Sequence, residues 1–139
     1  MKTLSAAVAA MLLLAAPVYA ASPASGLWRT PAYNGEVQIT DCGQALCGKI
    51  VTSDRLKLDP TLTDSKNKDP ALRARLIKDL PMLEGFTGGP TVWKGGTVYN
   101  PDDGGTYKGS ITLQDPDTLK LTGCIFVPLC KTQVWTRIK

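Results

Sequence analysis

The chain has 139 residues, 16 basic and 12 acidic, a formal net charge of +4 and no histidine. The missing imidazole excludes Ser-His-Asp triads, histidine acid-base catalysis and histidine-ligated metals. The basic residues are dispersed and do not form one patch interleaved with aromatics, which argues against a nucleic-acid partner.

Met1-Lys2 supplies a positive start, and Leu4 to Ala16 is an almost purely apolar run, too short to span a bilayer as a helix. Val18-Tyr19-Ala20 places small residues where a signal peptidase reads, so residues 1–20 are predicted to be a secretory signal peptide cut after Ala20. A retained membrane anchor is the competing reading, and no lipobox cysteine is present. Removing 20 of the 139 residues leaves 119, and losing Lys2 lowers the charge from +4 to +3. Residues 21–139 suffice for a single domain with one core.

Ala21 to Ser25 is a small, polar tail. Gly26 to Thr30 reads as a short strand and Pro31 to Gly35 as a turn. In Glu36 to Ser53, Val37 and Ile39 alternate with Glu36, Gln38 and Thr40, the period-2 pattern of a half-buried strand. The short loop Gly43 to Leu46 leads to a second strand, Gly48 to Thr52. Together they predict a β-hairpin clamped by Cys42 and Cys47 and fixing the mouth of the fold.

From Asp54 to Pro81 the alternation stops. Asp69 suits a helix N-cap, Pro70 the first helical position, and Ala71 to Lys78 favours helix, with Leu72, Leu76 and Ile77 on its apolar side. A loop this long in a small domain is a lid over a ligand or a plug for one end of the fold. Asp54, Asp59, Asp64 and Asp69 recur every five residues, which matches no helix face and predicts a solvated loop.

Met82 to Phe86 reads as a short strand or irregular edge. Thr91-Val92-Trp93 and Thr97-Val98-Tyr99 flank Lys94-Gly95-Gly96, which predicts a tight hairpin. Asn100 to Gly104 is a turn. Thr106 to Gln114 is the cleanest strand, with Tyr107, Gly109, Ile111 and Leu113 on one face. Leu119 and Leu121 alternate in the next strand. Cys124 to Cys130 encloses the apolar loop Ile-Phe-Val-Pro-Leu, and Lys131 to Ile138 is the last strand.

About eight short strands joined by tight turns predict an all-β antiparallel meander. Closing it into a small up-and-down barrel removes two exposed edges, so a barrel with one long loop carrying a short helix is preferred to a two-sheet sandwich. The four cysteines of an exported chain predict two disulfides. Three pairings exist on paper; Cys42–Cys47 and Cys124–Cys130 are favoured because each pair brackets one turn.

Two sets of residues carry family resemblances. Gly26-x-Trp28 at the start and Trp135-Thr136-Arg137 at the end resemble the lipocalin and calycin pattern, in which a tryptophan near the barrel's start packs beside an arginine of the final strand. That resemblance assigns Trp28 and Arg137 to barrel closure, through a guanidinium stacked on an indole. Several ordered blocks are similar to the bacterial domain-of-unknown-function family 2147. They are Gly26-Leu27-Trp28; Cys42-Gly43-x-x-Leu46-Cys47-Gly48-x-Ile50-Val51; Asn67-x-Asp69-Pro70-x-Leu72-x-x-Arg75; Trp93 through Tyr107; and Gly123-Cys124 through Arg137. This resemblance implies a small exported lipocalin-like protein of Gram-negative bacteria, periplasmic or secreted. It implies no activity.

No cofactor and no metal site is expected. Asn100, Asp102 and Asp103 are explained by a turn, and no glutamate closes a calcium loop. Phe86, Trp93, Tyr99 and Tyr107 cluster in one section of the chain and, with Leu72 and Leu76 beside them, are the predicted ligand-binding residues; ordinary core packing is the alternative. The functional expectation is a non-catalytic binder of a small apolar or amphipathic ligand, not an enzyme. The alternative is a side-chain-filled barrel that binds a protein partner of the cell envelope. After signal cleavage no membrane span is expected.

Overall fold

The computed structural model describes residue 3, residues 9–16 and residues 20–139. Residues 1–2, 4–8 and 17–19 of the expected signal segment lie outside the described residues, and among the described ones no helix is long and apolar enough to cross a membrane. Eight strands follow: β1 (Gly26–Arg29), β2 (Glu36–Cys42), β3 (Ala45–Thr52), β4 (Pro81–Gly88), β5 (Val92–Asn100), β6 (Gly105–Asp115), β7 (Thr118–Phe126) and β8 (Leu129–Arg137). Each pairs antiparallel with the next, and β8 returns to β1, closing the barrel. Closure leaves no unpaired edge.

The closing seam is short. Trp28 pairs with Arg137 and Arg29 with Thr136. Arg137 compensates with all three of its nitrogens. Nε donates to the Pro116 carbonyl (2.6 Å), Nη1 to that of Ser25 (2.8 Å) and Nη2 to that of Pro23 (2.6 Å). Its guanidinium carbon sits 4.2 Å from the centre of a Trp28 ring. Trp28, fully buried, donates its own Nε1 to the Ala24 carbonyl at 2.9 Å. A flat fork can serve three carbonyls and an aromatic face together, whereas an ammonium cannot. Arg137→Lys is therefore expected to lower stability by about 2 kcal/mol, read as a shift of the denaturation midpoint with an unchanged slope.

The barrel's two ends differ. One end carries short turns at residues 43–44, 89–91 and 116–117; the other carries the β1–β2 connection, residues 53–80, and the turns at 101–104 and 127–128. The short-turn end is filled. Trp28, Ile39, Leu46, Leu83, Phe86, Trp93, Ile111, Leu119 and Trp135 are all buried there in one cluster. Gly96 and Gly109 make room for Phe86: a Cβ on Gly96 would lie inside the Phe86 ring's contact distance, and one on Gly109 would meet Cε1 of that ring at 3.2 Å. We call this end the floor and the other the mouth.

The two disulfides are Cys42–Cys47 and Cys124–Cys130, with Cα–Cα separations of 5.8 and 4.0 Å. They lie at opposite ends. The first clamps the β2–β3 turn at the floor, which corrects the expectation that this hairpin fixes the mouth. The second clamps the β7–β8 hairpin at the mouth. There the supposed loop is a strand pairing that continues to Phe126 opposite Leu129.

Residues 53–80 hold two further departures. The expected helix over Ala71 to Lys78 does not form. Asp69 does cap, its side chain accepting from the Ala71 amide at 3.0 Å, but only the 3-10 turn Pro70–Leu72 follows. The chain then continues in turns, broken by one isolated bridge from Leu76 to Thr63. The helix is instead α1, Asp54–Leu58, capped by Ser53, whose hydroxyl accepts from the Leu56 amide at 3.2 Å. Leu56 and Leu80 are buried against Ile50, with Leu62, Ile77, Met82 and Tyr99 packed around them. This small second core holds the excursion to the barrel's mouth.

The expected tight hairpin at Lys94-Gly95-Gly96 is also corrected. Thr91 precedes one continuous strand, β5, and Gly95 takes φ +74° where the register against β6 shifts between Lys94 and Gly96. Gly95 is thus a bulge and not a turn.

Candidate functional site: the barrel mouth

Above the floor the barrel is hollow. A cavity of about 650 Å³ opens at the mouth, within the range of about 300–1,000 Å³ usual for small-molecule sites. Val37 of β2, Ile50 of β3, Met82 of β4, Val98 of β5, Tyr107 of β6 and Leu121 of β7 supply its walls, and Leu56, Leu62 and Ile77 of the excursion roof one side. Strand alternation explains the apolar wall: Val37, Val98 and Leu121 lie two or more residues along the same inward face that fills the floor.

The rim is polar, and most of its charges are paired. Arg55 Nη1 lies 3.0 Å from Asp102 Oδ1, and its guanidinium is 5.0 Å from the Tyr33 ring centre. Lys66 Nζ donates to the Asp102 carbonyl at 2.9 Å. Glu36 accepts from Arg29 Nη2 at 3.1 Å. Tyr107 donates its hydroxyl to Asp103 Oδ2 at 2.5 Å, a bond that holds the phenol above its ordinary range of ionisation. Burial raises the Asp103 carboxyl, but hydrogen bonds from Tyr107 and the Gly105 amide outweigh it and keep the group below its usual value. Lys131, also on the rim, forms no ion pair among the described residues.

The residues predicted to bind ligand do not converge. Tyr107 lines the cavity. Phe86 and Trp93 are buried in the floor, at 0% and 3% exposure. Tyr99 follows Val98 in β5, so it points outward and lies with Leu72 along a hollow on the outer wall. Leu76 is half exposed and borders neither space.

What Tyr99 does instead is hold the excursion. Asp64, fully buried, accepts from Tyr99 Oη (2.5 Å) through Oδ1, and from Asn67 Nδ2 (2.8 Å) and Arg75 Nε (2.9 Å) through Oδ2. Arg75 also lies 5.4 Å from the Tyr99 ring centre, and Arg73 Nε donates to the Asn67 carbonyl at 2.7 Å. Asp64 therefore departs from the solvated-loop expectation. Asn67 and Arg75 stood in one of the family-like blocks, and that block was the signal for this latch. A second fastening lies at Gly104, with φ +71°, where the Lys66 carbonyl occupies the space of any Cβ.

The closed eight-stranded antiparallel barrel, one end filled and the other open, is a lipocalin-like fold. A solved structure described as protein HP1028 from the human pathogen Helicobacter pylori, belonging to the lipocalin family, matches with a TM-score of 0.74 at 22% identity, covering 83% of this chain and 82% of that one. Residues 26–137 match the family described as "Uncharacterized protein conserved in bacteria (DUF2147)", and the chain belongs to that family. No curated protein matches it.

Proposed function

We propose that this protein is an exported, non-catalytic binder that holds a small apolar or amphipathic molecule in the upper half of its barrel. The observation that carries this reading is the cavity of about 650 Å³, apolar on its walls and polar at its rim. An apolar body would contact Val37, Ile50, Val98 and Leu121, and a polar head would remain among the rim groups. Most titratable rim groups are already engaged, Arg55 with Asp102, Asp103 with Tyr107 and Glu36 with Arg29, which favours holding over turnover. Export is supported by the signal-like start and by two disulfides, which persist in oxidising compartments.

Native mass spectrometry provides the test. Protein purified from its own host, or refolded with a library of lipids and small metabolites, is expected to carry a mass adduct that denaturation releases. Val98→Trp, which projects a large ring into the cavity, should weaken or abolish the adduct while thermal unfolding stays cooperative. No adduct from either source would overturn the reading.

A further inference from the structure

We propose that the β7–β8 hairpin tip is a docking element for an anionic lipid bilayer. Ile125, Phe126, Val127 and Leu129 are 69%, 61%, 84% and 55% exposed, and with Pro128 they form an unbroken apolar tip. Monomeric proteins seldom leave such a run in water. The Cys124–Cys130 bridge joins directly opposed residues at the base of the tip, so the apolar side chains are presented without a large loss of chain freedom on binding.

Charge and shape favour a lipid surface over a protein. The hairpin from Gly123 to Thr132 has no acidic residue, and the basic residue in it is Lys131. Two exposed lysines flank the base of the tip: Lys131 follows Cys130, and Lys108 pairs with Cys124 across β6 and β7. Neither forms an ion pair among the described residues. The carboxylates on the adjoining rim are engaged elsewhere, Asp102 by Arg55 and Asp103 by Tyr107. An apolar tip with lysines set behind it matches the layering of a bilayer, acyl chains beneath anionic headgroups. A five-residue turn is also too small to supply an ordinary protein interface of about 800 Å² per partner.

The tip is continuous with the cavity, because Ile125, Pro128 and Leu129 border its opening. A docked barrel would present its mouth to the lipid. Docking itself does not depend on whether the cavity is occupied, so the two readings fail separately.

The test is co-sedimentation of the oxidised protein with vesicles of phosphatidylcholine alone or mixed in equal parts with phosphatidylglycerol. Partitioning is expected to favour the anionic vesicles by about tenfold or more and to weaken as salt rises. Val127→Asp should lower it by about tenfold or more, since one exposed valine's transfer is lost and a like charge is added. Joint Lys108→Glu and Lys131→Glu should remove the preference for phosphatidylglycerol. Circular dichroism and thermal unfolding of these surface variants should match the parent. Equal partitioning of parent and Val127→Asp, or no sedimentation with either vesicle, would overturn the proposal. So would a change in oligomeric state by light scattering on Val127→Asp without a change in vesicle binding, which would make the tip a self-association surface.

Discussion

Replacing Asp64 with alanine is expected to detach residues 53–80 from the barrel wall while leaving the eight strands folded. Three donors lose their acceptor together: the Tyr99 hydroxyl, the Asn67 amide and the Arg75 guanidinium. Breaking a buried charge pair from one side usually costs several kcal/mol, but Arg75 is 34% exposed and can turn to water. The expected loss is about 2–4 kcal/mol. It should fall locally, because residues 53–80 then keep the small core of Ile50, Leu56 and Leu80, the backbone bonds between Ile50 and residues 79–80, and the contacts of Arg55 and Lys66 with Asp102, but lose their buried charged anchor. Hydrogen exchange should accelerate across residues 53–80 and not in β6 or β7, and trypsin should cut at Arg73 or Arg75. Uniform acceleration over the barrel would refute a local latch. The same site predicts alkaline loosening. Burial, then the hydrogen bond to Asp64, raises the Tyr99 phenol. Its stabilisation is complete below the unfolded tyrosine value of about 10 and is lost as pH rises beyond it. Tyr107 titrates in the same sense, so the latch's share is the difference between parent and Tyr99→Phe.

Phe86→Ala should cost more, about 3–5 kcal/mol, because a wholly buried ring leaves the floor. Its neighbours make the result diagnostic. Gly96→Ala alone is expected to be destabilising, since the new methyl meets the Phe86 ring. In the Phe86→Ala background the obstacle is gone and the same change should be nearly neutral. A coupling of about 1–3 kcal/mol between the two sites, from urea melts of both singles and the double, is the expected outcome. Additive effects would mean that the ring and Gly96 do not share one space. Phe86→Ala also deepens the cavity toward the floor, so any bound chain should lengthen.

Strand alternation accounts for what could be read from the sequence. Val37 and Ile39, or Ile111 and Leu113, define their faces without reference to the rest of the molecule, and chained short strands then imply closure. The readings failed where one residue breaks that period. Gly85 and Gly95, at φ +72° and +74°, each add a residue to a strand. Through the Gly85 bulge, Leu83 and Phe86 both turn inward although three positions apart. Gly95-Gly96 resembles a turn because a bulge and a close approach use the same residue type. The aromatic grouping failed for a related reason: proximity in sequence says nothing of face, and Val98 and Tyr99 necessarily part. The helix at Asp69 had a genuine cap, but the chain stops after one 3-10 turn and two further turn bonds, and the Arg73 and Arg75 side chains reach across to the Asn67 carbonyl and Asp64. No local pattern reveals a partner 35 residues away.

The division of the barrel into a packed floor and a hollow mouth separates two kinds of inherited change. A floor residue such as Trp135 or Ile111 touches neighbours on every side, so almost any replacement must be answered by others. A wall residue such as Val98 or Leu121 packs against the floor cluster on one side and borders the cavity on the other, so part of a change in its side chain is taken up by the void. Descendants of such a chain can reshape the cavity through single steps at the mouth, while the bottom of the barrel keeps them folded.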